Sequence, residues 1–235
     1  MRAFFTEPPA PRPDLPRGLP SIRLVGAGLR RRNLLLAGAG LLPGGRSDAS
    51  FLDDLAAFLV PGGGWVEHPA VWLVGVDTTT GDRVPFGAST APPASLRDAL
   101  RASWAVPGWY PPAQIGDRRY LDGGAASTCS ADLVAHLDLD EVIVVAPMAS
   151  AGGETVPGLG GRAEAVMRRS MSRGLDAEIE LLERRGTRVL RVHPSAAELA
   201  AMGPNFMDPR RRIAALDAAL DHVPARLGAR QKEST

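Results

Sequence analysis

The chain has 235 residues, enough for one large domain with a substantial core. Hydrophobic residues make up 45% of it and the formal net charge is +1, so neither composition nor overall charge indicates a nucleic-acid-binding protein. Its single cysteine, Cys129, excludes an internal disulfide and a zinc site built on cysteine pairs.

The N-terminal segment, residues 1–20, is rich in proline and is expected to be disordered. It lacks the apolar core of a signal peptide, and the longest apolar run, residues 34–42, is too short to cross a membrane. We therefore expect no transmembrane helix, and a protein that is cytoplasmic or peripheral to the membrane. Two arginine runs, 30–32 and 210–212, could contact anionic head groups, although solvated helix ends are the commoner role of such runs.

After this segment, helical and strand patterns alternate along the chain. Helices are predicted at residues 21–42, 50–60, 95–103, 130–136, 162–185 and from 209 onward, and strands at 71–76, 83–87, 118–122, 141–145 and 187–192. The continuous apolar run 71–76 is typical of a strand covered on both faces. The alternation predicts an α/β fold, a three-layer sandwich with a mostly parallel central sheet. A polar tail is expected at residues 229–235, after a domain spanning 21–228.

One stretch stands out as a candidate site. Residues 118–124, Arg-Arg-Tyr-Leu-Asp-Gly-Gly, predict a short strand that carries Asp122 into a glycine turn formed by Gly123 and Gly124. An acid in this position can be held rigidly at the mouth of a site. The alternative is that Asp-Gly is simply a turn dipeptide, which is the role of most such pairs.

The surroundings of this stretch resemble the C-terminal half of the patatin-like phospholipases, and bacterial members in particular. The resemblance is carried by the Ala-Ser segment at 102–103 with Pro107 after it, the Trp-Tyr-Pro-Pro at 109–112, the Asp-Gly-Gly at 122–124 and the apolar strand at 141–145. It continues over most of the chain after about residue 20.

The resemblance implies a serine acyl hydrolase that acts on lipid or acyl esters without a cofactor or metal. Members of that family use a Ser-Asp dyad, in which the aspartate of an Asp-Gly-Gly or Asp-Gly-Ala motif takes the proton of the serine hydroxyl as it attacks the ester. Asp122 matches that aspartate, with Gly123 and Gly124 as its supporting turn. Ser103, Trp104 and Pro107 would then lie near the site as pocket residues.

No residue of the sequence matches the family's nucleophile. The chain contains no Gly-x-Ser-x-Gly elbow and no glycine-rich oxyanion loop ahead of a first helix. The segments around Ser47 and Ser89 come nearest, but neither follows a buried strand and opens a long helix. We therefore expect the fold to be incomplete on its N-terminal side, through a shortened gene model, a frameshift or true divergence.

Two hypotheses about function remain open at this point. The first is that the chain supplies the base, but not the serine, of a lipid acyl hydrolase. The second is that it is a non-catalytic domain of that fold that binds lipid or a protein. The expected partners are a lipid or acyl-ester substrate and a membrane surface, with no nucleic acid. If the sheet lacks its N-terminal part, an unpaired strand edge would also favour self-association.

Overall fold

The computed structural model describes residues 19–68, 70–149, 159–203 and 208–233. Most of the proline-rich segment and most of the glycine-rich stretch 151–161 lie outside these residues. The helices are α1 Ile22–Arg30, α2 Leu34–Leu41, α3 Ser50–Leu59, α4 Leu96–Ser103, α5 Leu159–Arg184, α6 Ala196–Met202 and α7 Arg212–Glu233. Short 3-10 helices span Gly123–Ala125, Ala131–Leu137 and Pro209–Arg211. The strands are β1 Leu73–Asp77, β2 Arg83–Phe86, β3 Ala113–Ile115, β4 Arg118–Asp122, β5 Glu141–Val145 and β6 Arg188–Val192.

The described strands form two sheets in a mixed α/β fold. The larger sheet has the order β2-β1-β4-β3 and is antiparallel throughout, and the smaller one pairs β5 with β6 in parallel. The expected mostly parallel central sheet is therefore not what these strands form. Short turns join β1 to β2 and β3 to β4, and such connections permit only antiparallel pairing.

Helices cover both faces of the larger sheet, as the apolar run at 71–76 predicted. On one face, Val76 and Leu121 pack against Leu24 of α1 and Leu36 of α2. On the other face lie the apolar residues of a second cluster, which joins the sheet to α4: Phe86, Ala99, Ala102, Ile115 and Tyr120. Successive residues of β4 thus point into different layers, and this separation determines the geometry of the candidate site.

The smaller sheet is covered on one face only by the described residues. Val144 packs with Leu175 and Leu182 of α5. The neighbouring side chains Ile143 and Val145 point the other way and are exposed. β5 therefore presents apolar side chains on its outer face.

Residues 21–42 form two helices instead of one. Arg32 adopts a left-handed conformation (φ 53°) between them, and the Asn33 side chain caps α2 by accepting a hydrogen bond from the Leu36 amide. The two helices pack closely as an antiparallel pair, which we name the α1–α2 hairpin. The break places both helices against the same face of the sheet.

Helix α3 buries only part of its apolar surface. Leu52 and Ala56 are buried, whereas Phe58 and Leu59 are exposed. Apolar residues occur on both sides of this helix, so their period alone does not select the buried side.

At the C-terminal end, the backbone of α7 remains helical to Glu233, so residues 229–233 of the expected polar tail belong to that helix. None of the helices in the described part of the chain combines the length and apolar character that a membrane crossing needs.

Candidate active site

The β3–β4 hairpin delivers Asp122 to the end of the larger sheet, as the sequence predicted. Asp122 is the last residue of β4 and lies opposite Gly75 of β1. Its backbone amide donates to the carbonyl of Ala105, 3.1 Å away, in the segment that follows α4. The position of this aspartate is therefore determined by a strand on one side and by the chain leaving α4 on the other.

The carboxylate of Asp122 is half-buried and has few partners. Its Oδ1 atom accepts a hydrogen bond from the Gly124 amide at 2.8 Å, which caps the 3-10 turn Gly123–Ala125. No other described residue donates to this carboxylate, so Oδ2 is available to a further donor. Burial raises the pKa of the Asp122 carboxyl above its ordinary value, and the Gly124 hydrogen bond lowers it by less.

This geometry is compatible with both interpretations of Asp-Gly-Gly, as a simple turn and as part of a functional site. The aspartate does cap a turn, which is the ordinary function of an Asp-Gly pair. An aspartate that served only as a cap is commonly exposed, whereas this carboxylate is held in a partly desolvated position with one oxygen free. A raised pKa and a free oxygen are the properties that a general base requires.

The three predicted pocket residues have different surroundings. Ser103 is the last residue of α4, and its hydroxyl makes no hydrogen bond to Asp122. Trp104 packs edge-on against Phe51 of α3, with 5.8 Å between the ring centroids. Pro107 alone lines the cavity described next.

A cavity of about 240 Å³ lies on the other side of β4 from Asp122. One wall is formed by the open end of the α1–α2 hairpin, and the opposite wall by the loops 42–45 and 107–112. Leu121 and Arg119 line it, but Asp122 does not, because alternate residues of a strand face opposite sides. Among the described residues, no carboxylate forms a salt bridge with Arg119.

Sequence reasoning missed a group of charged residues that joins the larger sheet to α5. Arg83 of β2 donates to both oxygens of Asp132, at 2.7 and 2.5 Å, and to Glu178 of α5 at 3.1 Å. The Ser127 hydroxyl and the Ala131 amide also donate to Glu178, at 2.5 and 2.9 Å. Both oxygens of Glu178 are thus occupied, which assigns the Ser127–Glu178 pair a structural role.

Nothing in the described residues is arranged to hold a metal ion: no group of three or more His, Cys, Asp or Glu side chains converges. What the fold presents is a half-buried carboxylate, suited to acid–base chemistry, at a strand end of a mixed α/β protein. Residues 26–135, a segment that holds every candidate site residue, match the patatin-like phospholipase family. No curated protein matches the chain.

Proposed function

We propose that this chain carries the catalytic base of a patatin-like lipid acyl hydrolase. In this proposal Asp122 accepts the proton of a serine hydroxyl through its free Oδ2, while the Gly124 amide holds Oδ1 in place. The serine oxygen then attacks the carbonyl carbon of a lipid ester, and the ester C–O bond breaks as the alcohol leaves with the proton that Asp122 had accepted. Water then hydrolyses the acyl–serine intermediate, which releases the acid and restores the serine hydroxyl. The substrate class follows from the family match at residues 26–135.

The observation that supports the proposal is the combination of partial burial, a raised pKa and one unoccupied oxygen at Asp122. A base works best when its pKa lies closer to the working pH than that of an exposed aspartate. Since the sequence has no Gly-x-Ser-x-Gly motif and no described serine reaches Asp122, we propose that the nucleophile lies on a segment not contained in this sequence.

The experiment uses the coding DNA that precedes Met1. If an in-frame Gly-x-Ser-x-Gly motif is present there, the extended protein should hydrolyse a short chromogenic acyl ester. Asp122→Asn should reduce that turnover by at least about 100-fold, since a general base contributes about 10²–10⁴-fold. Asp117→Asn, on the exposed β3–β4 turn, is the matched control and should retain activity.

Three outcomes would contradict the proposal. An extended protein whose Asp122→Asn variant keeps full activity would remove Asp122 from the mechanism. The absence of an in-frame elbow would remove the proposed nucleophile. Turnover by the present chain alone that is lost in Asp122→Ala would show that a serine of this sequence is the nucleophile.

A specific observation also favours the second candidate, a non-catalytic domain that binds a lipid or a protein. The apolar outer face of β5, with Ile143 and Val145 exposed, is a surface that association would cover. This candidate predicts concentration-dependent self-association, measurable by analytical ultracentrifugation. Ile143→Thr with Val145→Thr should shift the protein towards the monomer, and a monomeric wild-type protein would count against this candidate.

A further inference from the structure

The α1–α2 hairpin has an apolar outer face that no described residue covers. In each helix two large apolar side chains, seven positions apart, point away from the sheet. Ile22 and Leu29 of α1 are 85% and 60% exposed, and Leu34 and Leu41 of α2 are 73% and 63% exposed. Their helices run antiparallel and in contact, so the four side chains share one surface, which we name the hairpin face. A contiguous exposed apolar patch of this kind marks an interaction site.

The charge of the hairpin is of one sign only. Residues 21–42 contain four arginines and neither aspartate nor glutamate. Arg31 pairs with Asp82 at 2.5 Å. No carboxylate among the described residues pairs with Arg23, Arg30 or Arg32, and all three are exposed. These three cations, named the free arginines below, are therefore available to an anionic partner.

An apolar face bordered by unpaired arginines matches one kind of surface best. Helices that lie in the membrane interface combine large apolar side chains with arginine or lysine on their polar side, and they prefer anionic lipids. Arginine also makes two-pronged hydrogen bonds to phosphate groups. The strictly basic charge of the hairpin is complementary to a surface of lipid phosphates.

The cavity beside the hairpin provides an independent reason to choose lipid over a protein partner. Ser21, Leu24 and Leu42, from the end of the hairpin where α1 begins and α2 ends, line this cavity. Arg119, for which the described residues likewise offer no paired carboxylate, lines the same space. A volume of about 240 Å³ equals roughly eight water molecules at about 30 Å³ each, which is sufficient for part of an acyl chain.

We propose that the α1–α2 hairpin docks this protein on bilayers that contain anionic phospholipids. The hairpin face enters the interface between head groups and acyl chains, and the free arginines contact lipid phosphates. The cavity then opens at the lipid surface. This proposal is independent of the chemistry at Asp122, and its test contains no hydrolysis measurement, so the two proposals fail separately.

The test measures co-sedimentation with vesicles of phosphatidylcholine, with or without phosphatidylglycerol. The wild-type chain should bind the vesicles with phosphatidylglycerol at least about tenfold more strongly at about 0.1 M salt, and lose most of that preference at about 1 M salt. Ile22→Ser combined with Leu41→Ser should weaken binding by at least about tenfold, because two large apolar side chains no longer enter the interface.

The matched control changes equally exposed apolar residues elsewhere. Phe58 of α3 is 81% exposed, and this helix carries Asp53 and Asp54 in place of arginines. Phe58→Ser combined with Leu59→Ser should bind vesicles like the wild type. Circular dichroism and thermal melting verify that every variant is folded.

A second pair of variants tests the charges. Arg23→Gln with Arg30→Gln should weaken binding to phosphatidylglycerol vesicles and flatten its salt dependence, because fewer lipid phosphates are contacted. Arg173 is an exposed arginine of α5, outside the hairpin. Arg173→Gln should change neither the binding to phosphatidylglycerol vesicles nor its salt dependence.

Four results would overturn the proposal. These are a wild-type chain that ignores anionic vesicles at low salt, an Ile22→Ser/Leu41→Ser variant that binds them fully, and a Phe58→Ser/Leu59→Ser variant that loses binding to the same extent. The fourth is a wild-type dimer that becomes a monomer in the Ile22→Ser/Leu41→Ser variant, since a second copy of the chain would then cover the hairpin face.

Discussion

Gly123 lies so close to Val74 of β1 that a Cβ atom built on it would sit 2.7 Å from the Val74 carbonyl oxygen. No side chain can be placed there without movement of the backbone. Packing therefore requires glycine at position 123. Its close approach to Val74 places the turn that carries Asp122 directly against β1.

Gly123→Ala should therefore destabilise the protein by about 1–3 kcal/mol, the usual cost of forcing an extra methyl group into a packed site. Urea unfolding measures this change. Gly174→Ala on α5 is the control: a Cβ there meets nothing within 4 Å, and the substitution should stabilise the helix by about 0.5–1 kcal/mol. Equal midpoints for Gly123→Ala and the wild type would show that the close approach is absent in solution.

Asp122→Asn should increase stability at neutral pH while it removes the proposed base. Burial raises the folded-state pKa of Asp122, so its stabilising contribution is present below the unfolded-state pKa and is lost as the pH rises through the folded-state pKa. Above that pH the wild type holds a partly desolvated charge, whereas asparagine stays neutral.

Thermal melting of both proteins across the acidic and neutral range checks this prediction. The melting temperature of Asp122→Asn should exceed that of the wild type at pH 7, and the difference should vanish below about pH 3, where aspartate is neutral in both states. Asp117→Asn on the exposed turn should show no such pattern. A variant that is less stable than the wild type at pH 7 would mean that the carboxylate has an attractive partner.

Arg83→Met should destabilise the fold by about 2–4 kcal/mol, since it leaves Asp132 and Glu178 without their cation in a largely buried position. Urea unfolding again provides the measurement. Arg97→Met is the control, because Arg97 is exposed and its partner Asp53 keeps a second arginine, Arg101; a loss of about 0.5 kcal/mol or less is expected. Similar losses in both variants would contradict the structural role of Arg83.

The contribution of Arg83 should also depend on pH. Burial alone would raise the pKa of Asp132, but the hydrogen bonds and charge of Arg83 hold that pKa below its usual value. A lowered folded-state pKa contributes stability above the unfolded-state pKa, which is lost as the pH falls through the folded-state pKa. The difference between the wild type and Arg83→Met should therefore shrink in strong acid, and a constant difference would argue against an ionic origin.

Substitution by alanine should have opposite effects on protein stability at Gly38 and Gly40, which lie two residues apart on α2. A Cβ on Gly40 would lie 2.6 Å from the Val25 amide nitrogen of α1, whereas a Cβ on Gly38 meets nothing within 4 Å. We expect Gly40→Ala to destabilise by about 1–3 kcal/mol and Gly38→Ala to stabilise by about 0.5–1 kcal/mol in thermal or urea unfolding. If both variants stabilise the protein, α1 and α2 are further apart than described.

Features that depend on neighbouring residues were predictable. The Ser95 hydroxyl accepts a hydrogen bond from the Asp98 amide, Ser195 and Glu198 form a capping box, and the β3–β4 hairpin turns at Gly116 to place Asp122 at a strand end. Each involves donors and acceptors within a few positions of one another. The family resemblance, confirmed at residues 26–135, likewise came from residue order alone.

Features that join distant parts of the chain were decided by the tertiary structure. The direction of the strands is one such feature. An apolar run in the sequence indicates that both faces of a strand are covered, but not whether the neighbouring strands run parallel or antiparallel to it. Another is the placement of Pro107 in a cavity on the opposite side of β4 from Asp122. A third is the Arg83 contact, whose partners Asp132 and Glu178 are 49 and 95 positions away. Local hydrogen bonding and side-chain period act over a few residues, whereas these choices depend on which surfaces meet when the whole core packs.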